Sequence, residues 1–389
     1  MKSELNKMIL QKMRPRYQKA KKLEKSQILG TTQEMTGLNR KSIIRLLNSR
    51  TILVDAKRSG RPRVYQGQIR EHVLKLYKLM EEISPKRMKE AIPIWLPYYN
   101  QHYGPLPVEI QRQLKEVSAS TLERIIRASR GANEGISSTR VNKDFKNIIP
   151  LKKLDEEVTA PGTVQADTVA HCGAALLGNF INTVTVVDLC SSWTENRACW
   201  TKETKHLLPQ LMDIEEDVPF RIINFDTDCG SEFLNYTVMR YFENRSKNRV
   251  KMRRSRPYKK NDQAYVEQRN YTHVRNLFGY DRLDAIELVN MMNDIYKNYW
   301  NPLHNHFLPS FKLLKKERIG ARIKKIFDKP KTPAQRLLEH PQVTNWSKGK
   351  VRAQRVHLDP IALKLELERK LKLFYEAVRR LTTGKVNQF

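Results

Sequence analysis

Cysteine is scarce in this chain. Four occur in 389 residues, Cys172, Cys190, Cys199 and Cys229, and no two form a CxxC pair. A zinc ribbon or finger therefore has no support, and small buried thiols in a reducing compartment are expected. Long apolar runs are missing too. Nothing approaches the ~18 apolar residues of a membrane-spanning helix, and the opening MKSELNKMIL is no signal peptide. A soluble cytoplasmic protein without membrane contact is expected. No GxxxxGK loop closed by Ser or Thr is present, so no nucleotide cofactor is expected either. Acid is the last shortage: 41 Asp and Glu stand against 72 Lys and Arg, a net charge of +31.

What is present reads as globular. Hydrophobic residues make up 40% and charged residues 29%, and the length allows roughly two to four domains. So large a positive excess points to a polyanion partner, nucleic acid being the commonest. The charge is unevenly spread. Residues 1–70 carry 18 Lys and Arg against 4 Asp and Glu, and residues 311–389 carry 21 against 7, whereas residues 158–240 carry 5 against 11. Phosphate-binding surface accounts for the ends. The acidic centre repels such a partner unless something neutralises it. A hard divalent cation does so, and also bridges to phosphate oxygens. The acids of Asp213–Asp217 (DIEED) are set apart from this and read as solvated surface.

Residues 1–56 form the first expected domain, with three short helices over 16–49. The last follows a turn at Thr36-Gly37, takes Asn39 as N-cap, and sets Ile43, Ile44 and Leu47 on one apolar face. Asn39, Arg40, Ser42 and Arg45 lie away from that face. Base and phosphate readers lie this way on the recognition helix of a helix-turn-helix; an ordinary surface helix is the alternative. Residues 57–67 follow as a basic strip. Gly60 and Pro62 prevent a helix, so Arg58, Arg61 and Arg63 project from a narrow backbone that resembles an AT-hook and fits the minor groove. A plain basic linker is the alternative. Over 68–130 a second helical block ends in a helix capped from Ser118-Ala119-Ser120-Thr121. It carries Leu122, Ile125 and Ile126 on one face and Arg124, Arg127 and Arg130 off it, and reads as a second helix-turn-helix. Residues 131–157 lose periodicity and read as linker.

From 158 to 300 the pattern changes. Val164–Thr168, Phe180–Asp188 and Thr194–Trp200 are β-rich runs parted by Gly or Ser turns. Val218–Asp226 and Arg249–Ser255 are two more, with helices expected near 202–214, 231–242 and 263–276. Three strands in sequence, then alternating helix and strand, is the order of an RNase H-like α/β core with a mixed five-stranded sheet. Asp167 lies inside the first strand, where an ionised carboxylate is costly unless paired or bound to metal. Asp228 follows the fourth strand, and Glu267 lies on the last helix. Carboxylates converging on one point repel each other unless a cation sits between them.

The strand-borne Asp167, then Asp228-Cys229-Gly230-Ser231-Glu232-Phe233, then Glu267 followed at i+3 by Asn270, resembles the DDE integrase/transposase superfamily. The likeness is best to bacterial insertion-sequence transposases with an integrase-type catalytic core. It covers roughly residues 160–300, and Pro257 to Asn270 (PYKKNDQAYVEQRN) is its most specific part. It implies that Asp167, Asp228 and Glu267 are catalytic and hold two Mg²⁺ (or Mn²⁺) ions. It further implies that the protein binds double-stranded DNA, both element ends and target, at the nucleoid. Water nicks the ends, the 3′-hydroxyl is joined to target DNA, and a homodimer or higher homo-oligomer assembles on DNA. Neither step needs ATP or a covalent intermediate, and no tyrosine or serine recombinase pattern is present. Three departures stand out. Thirty-eight residues separate Asp228 from Glu267, slightly more than the family usually has. Cys229 replaces the more usual Asn. The zinc-binding N-terminal domain of integrases is absent, which leaves end recognition to the helix-turn-helix units.

Around the three acids stand further candidates. Asp226 and Asp228 share a strand face; the Gly230-Ser231-Glu232-Phe233 register favours Asp228, with Asp226 supporting it or capping a helix. Asp188 ends a strand and is structural or supporting. His171 either reaches the scissile phosphate or a metal-bound water, or is merely hydrogen-bonded. Asn270 and Tyr271 share the Glu267 face and are placed to meet DNA. Residues 249–260 hold seven basic residues in twelve, and Arg253, Arg254, Arg256, Lys259 and Lys260 make a track for the DNA backbone. Residues 301–389 form a basic C-terminal region, in which Leu363, Leu367, Leu371 and Phe374 give a helix that packs on the core or pairs with another protomer. Two rival functions share the acids: another RNase H-like nuclease, and a DNA-binding regulator with an inactive or domesticated core.

Overall fold

The computed structural model describes residues 2–49, 65, 67–129, 158–227, 232–233, 235–243, 248–254, 263–320 and 322–386. Arg58, Arg61, Arg63, Arg130, Asp228, Cys229, Arg256, Lys259, Lys260 and the expected linker 131–157 lie outside the described residues. Two units divide the chain, residues 1–66 and 67–389.

In the first unit, α1 (Lys2–Lys19), α2 (Lys22–Thr36) and α3 (Arg40–Asn48) bury Leu10, Tyr17, Leu29, Ile43 and Leu47 together. The turn at Gly37 has φ +68°, a left-handed conformation that glycine adopts without strain. Asn39 caps α3, its side-chain oxygen accepting from the Lys41 N–H at 3.0 Å. The first helix departs from expectation: it runs back to Lys2 rather than beginning near 16, because Leu10 and Tyr17, two turns apart, both bury against the other helices.

The second unit opens with α4 (Gln68–Leu79), α5 (Pro85–Tyr103), α6 (Val108–Glu116) and α7 (Ala119–Ser129). Ser118 stands before α7 and accepts from the Thr121 N–H at 3.1 Å, while Leu122, Ile125 and Ile126 are buried. Five strands then form one sheet: β1 (Thr163–Ala170), β2 (Asn182–Asp188), β3 (Thr194–Cys199), β4 (Asn224–Thr227) and β5 (Lys251–Arg254), with α8 (Thr204–Asp217) and α9 (Tyr236–Glu243) between the later ones. Their order is β3-β2-β1-β4-β5. The first three are antiparallel neighbours, and β4 and β5 add in parallel. β4 is shorter than the apolar run that announced it. Val218, Phe220 and Ile222 are apolar because they are buried, not because they pair.

Alternation along β1 splits the two faces of the sheet. Val164 and Ala166, with Val184, Val186 and Phe225, pack against Leu207, Leu211 and Ile214 of α8 and Val238 and Phe242 of α9. The opposite face carries Asp167 and receives α10 (Ala264–Arg269), which continues through a π-helical turn (Asn270–Arg275) into α11 (Asn276–Phe278). α12 (Glu287–Ile295), a second π-helical turn (Tyr296–Trp300) and α13 (Asn301–Phe307) lie beside it and reach β3. The described chain is thus an α/β core with helical regions.

After the core come an antiparallel hairpin, β6 (Leu313–Ile319) and β7 (Arg322–Phe327), and then α14 (Pro333–Glu339), α15 (Asn345–Val356) and α16 (Pro360–Val386). α16 lays Leu363, Leu367 and Phe374 onto its own unit; the Phe374 and Phe278 ring centroids are 4.9 Å apart, and the Tyr375 hydroxyl donates to the Leu277 carbonyl at 2.8 Å. No helix among the described residues is long and apolar enough to cross a membrane.

Candidate active site

Asp167 sits two-thirds of the way along the central strand and is half-buried. Its Oδ1 accepts from the Thr168 N–H at 2.7 Å, and its Oδ2 accepts from Asn270 Nδ2, also at 2.7 Å. The second bond crosses from the sheet to the helix above it. Asn270 is the first residue of the π-helical turn, where the widened helix carries its side chain down onto the strand. Glu267 stands one turn earlier on the same helical face and is exposed. The strand acid and the helix acid are therefore held on one side of the sheet through Asn270. The Oδ1 of Asn270 is buried and, among the described residues, makes no hydrogen bond. Two carboxylates and a spare amide oxygen are hard donors of the kind that Mg²⁺ or Mn²⁺ takes. Among the described residues no three His, Cys, Asp or Glu side chains converge as a metal site, and Asp228 is outside them.

The neighbouring candidates divide by what they touch. Asp226 lies opposite Gln165 on β1 and opposite Arg253 on β5. It receives Arg253 in a fork, Nε to Oδ1 at 2.7 Å and Nη2 to Oδ2 at 2.8 Å. Both Asp226 oxygens are thus engaged by one guanidinium, and Arg253 spends its charge within the sheet. Asp188 is fully buried at the start of a turn, accepting from the N–H groups of Gly162 and Ser191 and from the Ser191 hydroxyl. Burial pushes its carboxyl above the usual range, against those hydrogen bonds. It pairs with Val164, whose side chain faces away from the side that carries Asp167. His171 is buried too, its Nε2 2.9 Å from Thr183 Oγ1 and its ring edge-on to Phe278. Burial, aided by Arg275, lowers its pKa to about 3, so the ring is neutral.

Of the candidate DNA readers, Asn270 is in this site and Arg253 is bound to Asp226. Arg40 and Arg45 are exposed on α3, with Arg40 Nη2 donating to Ser26 Oγ at 2.8 Å, while Ser42 is half-buried. Arg124 and Arg127 are exposed on α7, and Arg124 Nη2 donates to Thr121 Oγ1 at 3.0 Å. Tyr271 is exposed on the π-helical turn, and Arg254 belongs to β5.

One expectation is overturned. Asp213 and Asp217 are not idle surface acids. Arg197 of β3, only 1% exposed, donates to both at 2.5 Å and to Glu195 at 3.2 Å, and Lys297 joins from the helical layer. Burial raises the Glu195 carboxyl despite Arg197 beside it, whereas at Asp213 the bonds from Lys297 and Arg197 outweigh burial and hold the group low. A lone basic residue in the strand TENRAC was the available signal, since a buried arginine needs carboxylates.

No family model matches the chain. "Uncharacterized protein y4rM" of Sinorhizobium fredii (strain NBRC 101917 / NGR234) is 32% identical over 328 residues, which cover 82% of this chain and 91% of that protein. The chain belongs to the y4rM family. Among solved structures, the catalytic core domain of BIV integrase aligns at 13% identity and a TM-score of 0.21, over 28% of this chain and 62% of that one.

Proposed function

We propose that this chain is a DNA transposase of the DDE integrase-like group. The reading rests on the hydrogen bond from Asn270 to Asp167, which ties the helix of Glu267 to the central strand. The strand order β3-β2-β1-β4-β5, three antiparallel then two parallel, supports an RNase H-like core over 158–300. In this reading Asp167, Asp228 and Glu267 hold two Mg²⁺ or Mn²⁺ ions. When bound, such ions lower the pKa of a water and stabilise the leaving oxygen of a phosphodiester. Asn270 fixes the orientation of the Asp167 carboxylate, and Asp226, clamped by Arg253, keeps the strand ends of β4 and β5 in register. The basic surfaces of residues 1–66 and of α7 bind element ends by their phosphates. Two protomers or more bring two ends together on target DNA.

Duplex oligonucleotides carrying the repeats that flank the gene test this, incubated with the full chain in Mg²⁺ or Mn²⁺. Metal-dependent 3′-end nicks and joined strands are expected from the wild type and from Asp226→Asn. Asp167→Asn, Asp228→Asn and Glu267→Gln should lose at least about 100-fold in both products, the scale on which a removed catalytic group acts. Tight end binding without nicking in either metal would make the protein a regulator instead.

A further inference from the structure

On the far side of the Glu267 helix three guanidiniums gather, and among the described residues only one of them has a carboxylate partner. Arg269 follows Glu267 by two residues, and Arg87 of α5 and Arg336 of α14 both act on it electrostatically. Arg87 Nε donates to the Pro309 carbonyl at 2.5 Å, and Arg336 Nη2 donates to the next carbonyl, Ser310, at 2.7 Å. Only Arg336 has a carboxylate, Asp328. Among the described residues neither Arg87 nor Arg269 has an acidic partner; Arg269 instead meets His273 Nε2 at 3.3 Å. Uncompensated guanidiniums in a partly buried setting are costly.

A second observation points the same way. Four polar atoms here are buried and, among the described residues, make no hydrogen bond: Arg336 Nε, Ser310 Oγ, Trp300 Nε1 and His304 Nε2. The first three carry a hydrogen to donate. The His304 ring is 4.3 Å from His273, which meets Arg269, and 4.2 Å from Trp300, and the Ser310 carbonyl accepts from Arg336, so these residues neighbour the arginines. Water would satisfy such donors, but it would not neutralise the charge.

We propose that Arg87, Arg269 and Arg336, with the unpartnered donors of Ser310 and Trp300, form a binding site for a phosphate-type oxyanion. The site joins three stretches far apart in sequence: α5, the Glu267 helix and the segment from Trp300 to α14. An occupant would weld them together. It stands independently of the catalytic reading, because its chemistry needs neither the metal ligands nor strand joining. Two sources supply the same chemistry, a free oxyanion or a phosphate of the DNA backbone, and both satisfy a guanidinium fork.

Thermal unfolding of the full chain, without divalent metal, tests it. Inorganic phosphate is titrated against chloride at constant ionic strength. The wild-type midpoint is expected to rise saturably by about 2 °C or more in phosphate, as for any ligand that binds only the folded state. Arg87→Gln and Arg269→Gln are expected to unfold no lower than wild type in chloride, since each removes an uncompensated charge, and to lose the phosphate response. A second arm measures binding of a short duplex with and without saturating phosphate. Weaker duplex binding in wild type but not in Arg87→Gln assigns the site to a backbone phosphate; unchanged binding assigns it to a free oxyanion. Equal midpoints in phosphate and chloride, or a full phosphate response in both variants, would overturn the proposal.

Discussion

At the scale of single residues, the proposed site turns on Asn270 as well as on its acids. Its amide nitrogen holds Asp167, and its amide oxygen is buried and, among the described residues, without a partner. Groups that orient a metal ligand usually matter by about 10–100-fold. On the proposed reading, Asn270→Ala is expected to slow strand joining by about that factor and to raise the Mg²⁺ concentration needed for half-maximal rate. Joining rates measured across a Mg²⁺ titration check this, and a variant indistinguishable from wild type would remove Asn270 from the site. The spacing Glu267-x-x-Asn270 was legible because one helical turn puts both residues on one face. That the amide would reach a strand residue 103 positions earlier was not, since the π-helical turn that carries it there leaves no local mark. Arg197 teaches the same lesson. Its acids lie 16 and 20 residues further on, and only the packing of α8 on the sheet brings them together.

At the scale of elements, Gly162 governs how β1 begins. Its φ of +116° is a conformation that other residues rarely adopt, and a Cβ there would lie 2.6 Å from the Arg221 carbonyl. Its N–H donates to Asp188, and its carbonyl accepts from Ile223 and Asn224, so the glycine joins β1, the turn after β2 and the entry to β4. Gly162→Ala should cost about 1–3 kcal/mol, the usual range for a strained backbone position. Urea unfolding reads it, and a midpoint unchanged from wild type would show that the backbone there can relax. Strands β1 to β3 were visible as β-rich runs between Gly and Ser turns. The β6–β7 hairpin was not. Lysine is a poor strand former, and the run from Lys315 to Lys325 reads as charge before it reads as alternation. For α16 the apolar spacing announced the helix but left its partner open; Phe278 and Leu277 supply that partner within the same unit.

At the scale of the whole molecule, four histidines are held neutral inside the second unit. Burial, with Arg275 or Arg355 adding to it, lowers His171 and His306 to about 3, and burial first of all holds His273 and His304 well below their ordinary value. In the unfolded chain all four protonate near pH 6.5. The folded state therefore binds fewer protons below about pH 6.5, and this stability is complete above that pH and lost as pH falls below it. Asp188 and Glu195, raised by burial, act in the opposite sense. His72, lowered by burial as well, makes five groups against two, so the urea midpoint is expected to fall from pH 7.5 to pH 5, and to fall less steeply in His171→Asn. A midpoint that holds level over that range would mean these rings reach water. The packing of Phe374 on Phe278 also has a bearing on synthesis. The helical run that carries Glu267 rests at its far end on a residue translated almost a hundred positions later. While the ribosome is still short of Phe374, both acids have emerged but the run that aligns one with the other lacks its last support. The last support of the helical run thus lies in a stretch of chain made long after the acids themselves.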